Sequence, residues 1–134
     1  MIKGGVYAII NTQTGKSYIG SSYNLDLRFE QHRTMLITNS HHNKGLQRDF
    51  NKFDYDLYLF KFERLKEFKY PVPRFYLYFL EEKYIKNTKD KYNIQQSAIG
   101  HLNMESSFFN YCFLIVEEFI TNFFYSKKNV KFKF

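Results

Sequence analysis

The sequence predicts an α/β domain: a small, mainly antiparallel, three-stranded sheet flanked by helices, with an extra amphipathic helix at the C-terminal end. Three observations lead there. Two short β-favouring runs, Val6-Tyr7-Ala8-Ile9-Ile10 and Ser17-Tyr18-Ile19-Gly20, flank the turn-rich Asn11-Thr12-Gln13-Thr14-Gly15 and read as a hairpin. A third extended run, Leu57-Tyr58-Leu59-Phe60-Lys61-Phe62, is apolar at nearly every position, as a strand with a central face would be. Between and after these runs the apolar spacing changes from strand-like to helical.

The helices follow from that spacing. Leu25, Phe29, His32 and Leu36 recur at intervals of four, three and four after Asn24, a good N-cap, and Asp26 suits the first turn of the dipole. A helix is therefore expected over about 24–37. The polar stretch Thr38-Asn39-Ser40-His41-His42-Asn43 reads as a loop, and a short helix around 44–52 carries Leu46 and Phe50. Pro71 and Pro73 mark a second loop before a helix over about 74–88, and Tyr92-Asn93-Ile94 is a last extended piece.

The 134 residues are enough for one domain with a short appendage, and the boundary is expected near residue 100. In 101–134 a stripe of Phe108, Phe109, Cys112, Ile115, Val116, Phe119, Ile120, Phe123 and Phe124 opposes Asn110, Glu117, Glu118, Thr121 and Asn122, before a Lys-rich tail. The paired glutamates argue against a bilayer span, at about 2–3 kcal/mol each. The stripe is expected to pack on the chain's own core, leaving a monomer.

A hydrophobic content of 44% excludes disorder. The formal charge of +7 points to a polyanionic partner, nucleic acid before an acidic membrane. The single cysteine, Cys112, excludes an intrachain disulfide and a Cys-based metal site. The N-terminus runs directly into a strand, so no signal or transit peptide is expected. Residues with AT-rich codons (Lys, Asn, Phe, Tyr) dominate, and Lys outnumbers Arg fifteen to five. That bias suggests an AT-rich genome, a mitochondrion first; the cytoplasm of a bacterial or virus-infected host is the alternative.

Six short elements then fall in order: Gly5-Val6-Tyr7; Tyr18-Ile19-Gly20; Arg28 and His32, four apart on one helix; Leu46-Gln47-Arg48-Asp49-Phe50-Asn51-Lys52; Glu81-Glu82-Lys83-Tyr84-Ile85; and Tyr92-Asn93. Each alone is a weak signal. Together, over about residues 3–98, they resemble the GIY-YIG nuclease family, most closely the catalytic domains of intron-encoded homing endonucleases. Val6 in place of the usual Ile keeps a β-branched residue on the strand.

The resemblance implies a metal-dependent endonuclease acting on double-stranded DNA, with Mg²⁺ or Mn²⁺ as cofactor. Such a reaction must deprotonate water, stabilise a pentavalent phosphate and neutralise the leaving oxygen. By resemblance, Tyr7 is the general base, its pKa lowered by a nearby cation, and Tyr18 positions water or a phosphate oxygen. Arg28 clamps the phosphate bidentately, and His32 supports Tyr7 or Arg28. Glu81 is the single protein ligand of the metal, and Asn93 holds the active-site backbone. His41 matches an active-site histidine of the homing branch.

Glu81 is favoured over Glu82. Glu82 has Lys86 four residues on, an ordinary surface pair worth about 0.3–0.5 kcal/mol. The neighbours of Glu81, Tyr78 and Ile85, make its face mostly apolar, and a carboxylate there needs a partner. Lys16, Arg33, Lys44 and Arg48 are the expected DNA-phosphate contacts. Two other readings stay open: a nucleic-acid-binding remnant of the fold without turnover, and a membrane-surface protein using the aromatic helix and basic tail.

Overall fold

The computed structural model describes residues 2–94. The expected C-terminal helix, its stripe and the boundary near residue 100 lie outside the described residues.

The sheet has three antiparallel strands, β1 (Gly4–Asn11), β2 (Ser17–Ser22) and β3 (Phe60–Phe68), in the order β2-β1-β3. The central β1 is covered on both faces. Its side chains alternate accordingly. Tyr7 and Ile9 join a core with Leu25, Phe29, Leu36, Leu46, Phe50 and Phe60, under helices α1 (Leu25–Ile37) and α2 (Lys44–Lys52). Val6 and Ala8 join a second core with Ile19, Val72, Tyr76, Leu77, Leu80 and Ile85, under α3 (Arg74–Asn87). The expected sheet and helices are therefore present, with the helices divided between the two faces.

Local chemistry sets the boundaries. The Asn24 side chain accepts from the Leu27 amide and caps α1, as its position predicts. Asn39, with φ of 56°, takes the left-handed conformation just beyond α1, a common way to end a helix. Asn43 caps α2 through the Leu46 amide.

The third strand needs a correction. Leu57–Leu59 form a 3-10 turn, nucleated by the Asp56 side chain, which accepts from the Tyr58 amide. The strand starts at Phe60, runs to Phe68 and lies on an edge of the sheet. Lys61, Glu63, Arg64, Lys66 and Glu67 interrupt its apolar pattern, as edge strands tolerate. Its register against β1 shifts between Val6 and Tyr7. There β3 comes so close that a Cβ on Gly5 would lie 1.8 Å from the Lys66 carbonyl oxygen, which explains the glycine before Val6-Tyr7.

Beyond α3 the chain returns to the free edge of β2. Ser17 bridges Lys91 in parallel, and the Tyr92 amide donates to the Ser17 carbonyl at 2.8 Å. Tyr92 is buried, its hydroxyl donating to Asp49 at 2.6 Å and accepting from Asn11 Nδ2 at 3.1 Å. These bonds tie α2, the hairpin and the returning segment together.

Candidate active site

Tyr7 and Gly20 face each other across the β1–β2 pair. The Tyr7 ring lies over the glycine: a Cβ there would sit 2.4 Å from the phenol oxygen. The glycine of Tyr18-Ile19-Gly20 is thus the seat of the tyrosine of Gly5-Val6-Tyr7, and the two triplets form one structural unit. Tyr7 is buried, with Phe29 edge-on at 5.4 Å between ring centroids.

A polar chain runs from the α1–α2 loop to the Tyr7 oxygen, and its polarity can be deduced. The Asn43 amide can only donate, and it donates to His41 Nδ1 at 3.0 Å. In a neutral His41 the proton is then on Nε2, which lies 2.8 Å from His32 Nδ1. His32 Nδ1 must accept, so the His32 proton is on Nε2, 2.5 Å from the Tyr7 oxygen. Both rings are neutral: burial pushes His32 down to about 2 and His41 to about 4, and Arg28 and the neighbouring histidines add to both shifts. Arg28 Nε also donates to the Tyr7 oxygen, at 3.3 Å. Two donors therefore converge on one phenol oxygen and turn its own O–H elsewhere.

The position of His41 was legible; its burial was not. It is fully buried, and its amide donates to Gln47 Oε1 at 3.0 Å. Gln47 Nε2 in turn holds the Leu36 carbonyl and Asn51. Gln47 and Asn51 thus work structurally, fixing the end of α1 and the loop. His42 was read as a loop residue; its Nε2 lies 2.9 Å from the Tyr18 hydroxyl, and its ring stacks on His41 at 4.4 Å.

Arg28 is half-buried on α1. Its Nε is used by Tyr7 and its Nη1 by Gln31 at 3.1 Å, and Tyr18 also interacts with it, so the guanidinium is fixed in place. Burial raises the pKa of the Tyr7 phenol, as does Tyr18, while Arg28 pulls it down less strongly. The expected lowering does not hold, because desolvation outweighs the single cation. Tyr18 is likewise raised, by burial and then by Glu81.

Glu81 comes from α3, yet it lies close enough to act on Tyr7, Tyr18 and Arg28 electrostatically. Its Oε2 accepts from Ser21 Oγ at 2.5 Å. Burial raises its pKa, and Ser21 and Arg28 oppose the rise. Glu82 is not the surface residue expected. It is the more buried of the two, pairs with Lys86 at 3.3 Å, and its Oε2 has no hydrogen-bond partner among the described residues. No group of three or more metal-ligating side chains occurs among the described residues. Glu81 beside Ser21 Oγ is nonetheless an all-oxygen donor pair, which suits a hard cation that keeps most of its waters.

Asn93 closes the arrangement from the edge. Its Oδ1 accepts from the Ile19 amide and its Nδ2 donates to the Ile19 carbonyl, both at 2.9 Å. A side chain thus replaces a strand neighbour between Tyr18 and Gly20. Tyr7, Tyr18, Arg28, His32, His41, Glu81 and Asn93 are brought together. Of the expected phosphate contacts, Lys44 and Arg48 are exposed on α2. Arg33 is engaged by Glu30 at 2.5 Å and by the Phe62 ring, and Lys16 lies over the Tyr92 ring. Ser21 escaped sequence reasoning, since nothing in its local pattern signals a partner 60 residues away.

Paired Tyr-bearing strands thus face an Arg–His helix, with a carboxylate supplied from the opposite layer, and the ordered motifs of the sequence meet at one place. The profile of the GIY-YIG catalytic domain matches residues 3–93, and the chain belongs to the GIY-YIG family. It is 30% identical over 104 residues to a probable intron-encoded endonuclease 1 of Neurospora crassa, a match that covers 78% of this chain and 29% of that protein. Among solved structures it is similar to the catalytic domain of the intron endonuclease I-TevI. One, a glutamate-to-alanine mutant, superposes with a TM-score of 0.63 at 31% identity, covering 72% of this chain and 98% of the other. A second structure of that domain gives 0.60 at 30% identity, covering 69% and 98%.

Proposed function

We propose that this chain is an endonuclease that hydrolyses phosphodiester bonds in double-stranded DNA, as the cutting part of a group I intron homing endonuclease or a free-standing relative. One observation carries the reading: Tyr7, Arg28 and Glu81, from three elements and three layers, meet at the C-terminal end of β2. Membership of the family and the intron-encoded relative support it. That relative and the AT-rich codon bias also favour a gene carried in a mitochondrial intron.

The chemistry follows from the geometry. Arg28, held against Tyr7 and Gln31 and in contact with Tyr18, grips the scissile phosphate in a fixed orientation. Tyr7, as phenolate, takes the proton of the attacking water. His32 Nε2 and Arg28 Nε donate to that oxygen and stabilise its charge. The new bond forms between the water oxygen and phosphorus, and the bond to the leaving oxygen breaks. Tyr18, tied to His42, orients the water or a phosphate oxygen, and Asn93 holds the backbone on which Tyr18 rides. Glu81 would hold a Mg²⁺ or Mn²⁺ ion, with Ser21 fixing its carboxylate; such an ion neutralises charge on the phosphate and the leaving oxygen. Lys44 and Arg48 are available for flanking phosphates.

A plasmid nicking assay with Mg²⁺, and with EDTA, tests this. Arg28→Ala and Glu81→Gln should each cut turnover by about 10²–10³, the usual cost of a lost transition-state contact, with circular dichroism unchanged. Full turnover in Glu81→Gln beside loss in Glu82→Gln would reassign the metal ligand. DNA binding with no cleavage under any metal would mark an inactive remnant.

A further inference from the structure

Beyond the Arg28 guanidinium the site opens into a cleft of about 420 Å³ between α1 and α3, at the end of β2. This volume falls in the range that accepts a small ligand or one unit of a polymer. Arg28 and Gln31 line one wall, Arg74 and Tyr78 the other, with Ser21 and Tyr23 between them. Arg74, Tyr78 and Glu81 stand at i, i+4 and i+7 on α3, so one face of that helix presents all three to the site.

Arg74 is held in place but not neutralised. Its Nη1 donates to the Tyr78 hydroxyl at 3.3 Å, and its guanidinium carbon lies 5.6 Å from the centroid of the Tyr23 ring. Arg33 and Arg64 pair with carboxylates; among the described residues Arg74 does not. Tyrosines can orient a guanidinium without cancelling its charge. Two planar cations on opposite walls of one cleft, with no acid among the residues that line it, call for an extended polyanion that reaches both.

We propose that this cleft seats the nucleotide adjoining the scissile phosphate, with Arg74 binding the next phosphate along the same strand and Tyr23 packing against its sugar. The proposal rests on the nuclease reading and adds to it a second phosphate subsite on α3. Sequence reasoning did not single out Arg74, which follows two prolines and has no motif around it.

Binding of the full-length protein to a labelled mixed-sequence DNA duplex, followed by fluorescence anisotropy in EDTA across a salt series, tests it. Arg74 is exposed, so substitution leaves the core intact. Arg74→Gln should weaken binding about tenfold and lower the slope of log K against log salt by about 0.9, the signature of one lost phosphate contact. Arg74→Lys should restore the slope and part of the affinity. If wild type binds and cuts DNA while Arg74→Gln keeps both affinity and slope, the subsite is wrong and the nuclease reading stands. If wild type neither binds nor cuts, both fall.

Discussion

The histidine chain makes the stability of this fold depend on pH in a window set by its own geometry. His32 and His41 are buried neutral, with folded pKa values near 2 and 4 against 6.5 in the unfolded chain. Between those limits the unfolded state binds more protons than the folded one, so stability is complete above pH 6.5 and falls as pH drops. Each histidine loses up to about 1.4 kcal/mol per pH unit. Together they cost up to about 3 kcal/mol at pH 5.5 and about 5 kcal/mol at pH 4.5. Relaxation and water entry reduce these figures, but even half is a large share of the roughly 5–15 kcal/mol that holds a domain together. Ordinary carboxylates titrate mostly below pH 5, and Glu81, whose folded pKa is raised, acts in the opposite direction. Urea denaturation in EDTA at pH 7.5, 6.5, 5.5 and 4.5 measures the effect; far-UV circular dichroism is the probe, since the chain has no tryptophan. His32→Gln should remove about half of the dependence between pH 6.5 and 5.5. An unfolding free energy that is flat from pH 7.5 to 5.5, or the same slope in the variant, would refute the buried-neutral chain.

The raised pKa of Tyr7 predicts that its phenolate is the scarce form at neutral pH, so log kcat/KM should climb by about one unit per pH unit from pH 7 to 9. A plateau already reached at pH 7 would remove Tyr7 as the base. Gly20→Ala would place a methyl 2.4 Å from the Tyr7 oxygen, so it should lower stability by about 1–3 kcal/mol and depress cleavage further than its melting temperature explains. Wild-type nicking by Gly20→Ala would show that the seat of Tyr7 does not matter.

Features governed by neighbours in sequence were legible. The hairpin, the Asn24 cap, the helical spacing of Leu25, Phe29, His32 and Leu36, and the ordered motifs all rest on short-range chemistry, and the structure has them. The limits of β3 were not, because an apolar run looks the same in a strand and in a 3-10 turn; Asp56 decides which residues become the turn. The burial of Glu82 was hidden for a similar reason: an i, i+4 partner suggests a surface pair whatever covers the helix. Ser21, His42 and Arg74 gain meaning only once α1, α3 and the end of β2 stand side by side, an arrangement no local spacing encodes.

The bond from Asn93 to Ile19 spans 74 residues, and that from Tyr92 to Asn11 spans 81. The site therefore cannot close until residue 93 has been made. A nascent chain, or a gene interrupted before codon 93, lacks the piece that seals the free edge of β2 and fixes the strand between its two active-site positions. Such fragments present an open strand to one another and are directed towards aggregation and proteolysis. Damaged copies of the gene therefore yield waste and not a partly assembled site.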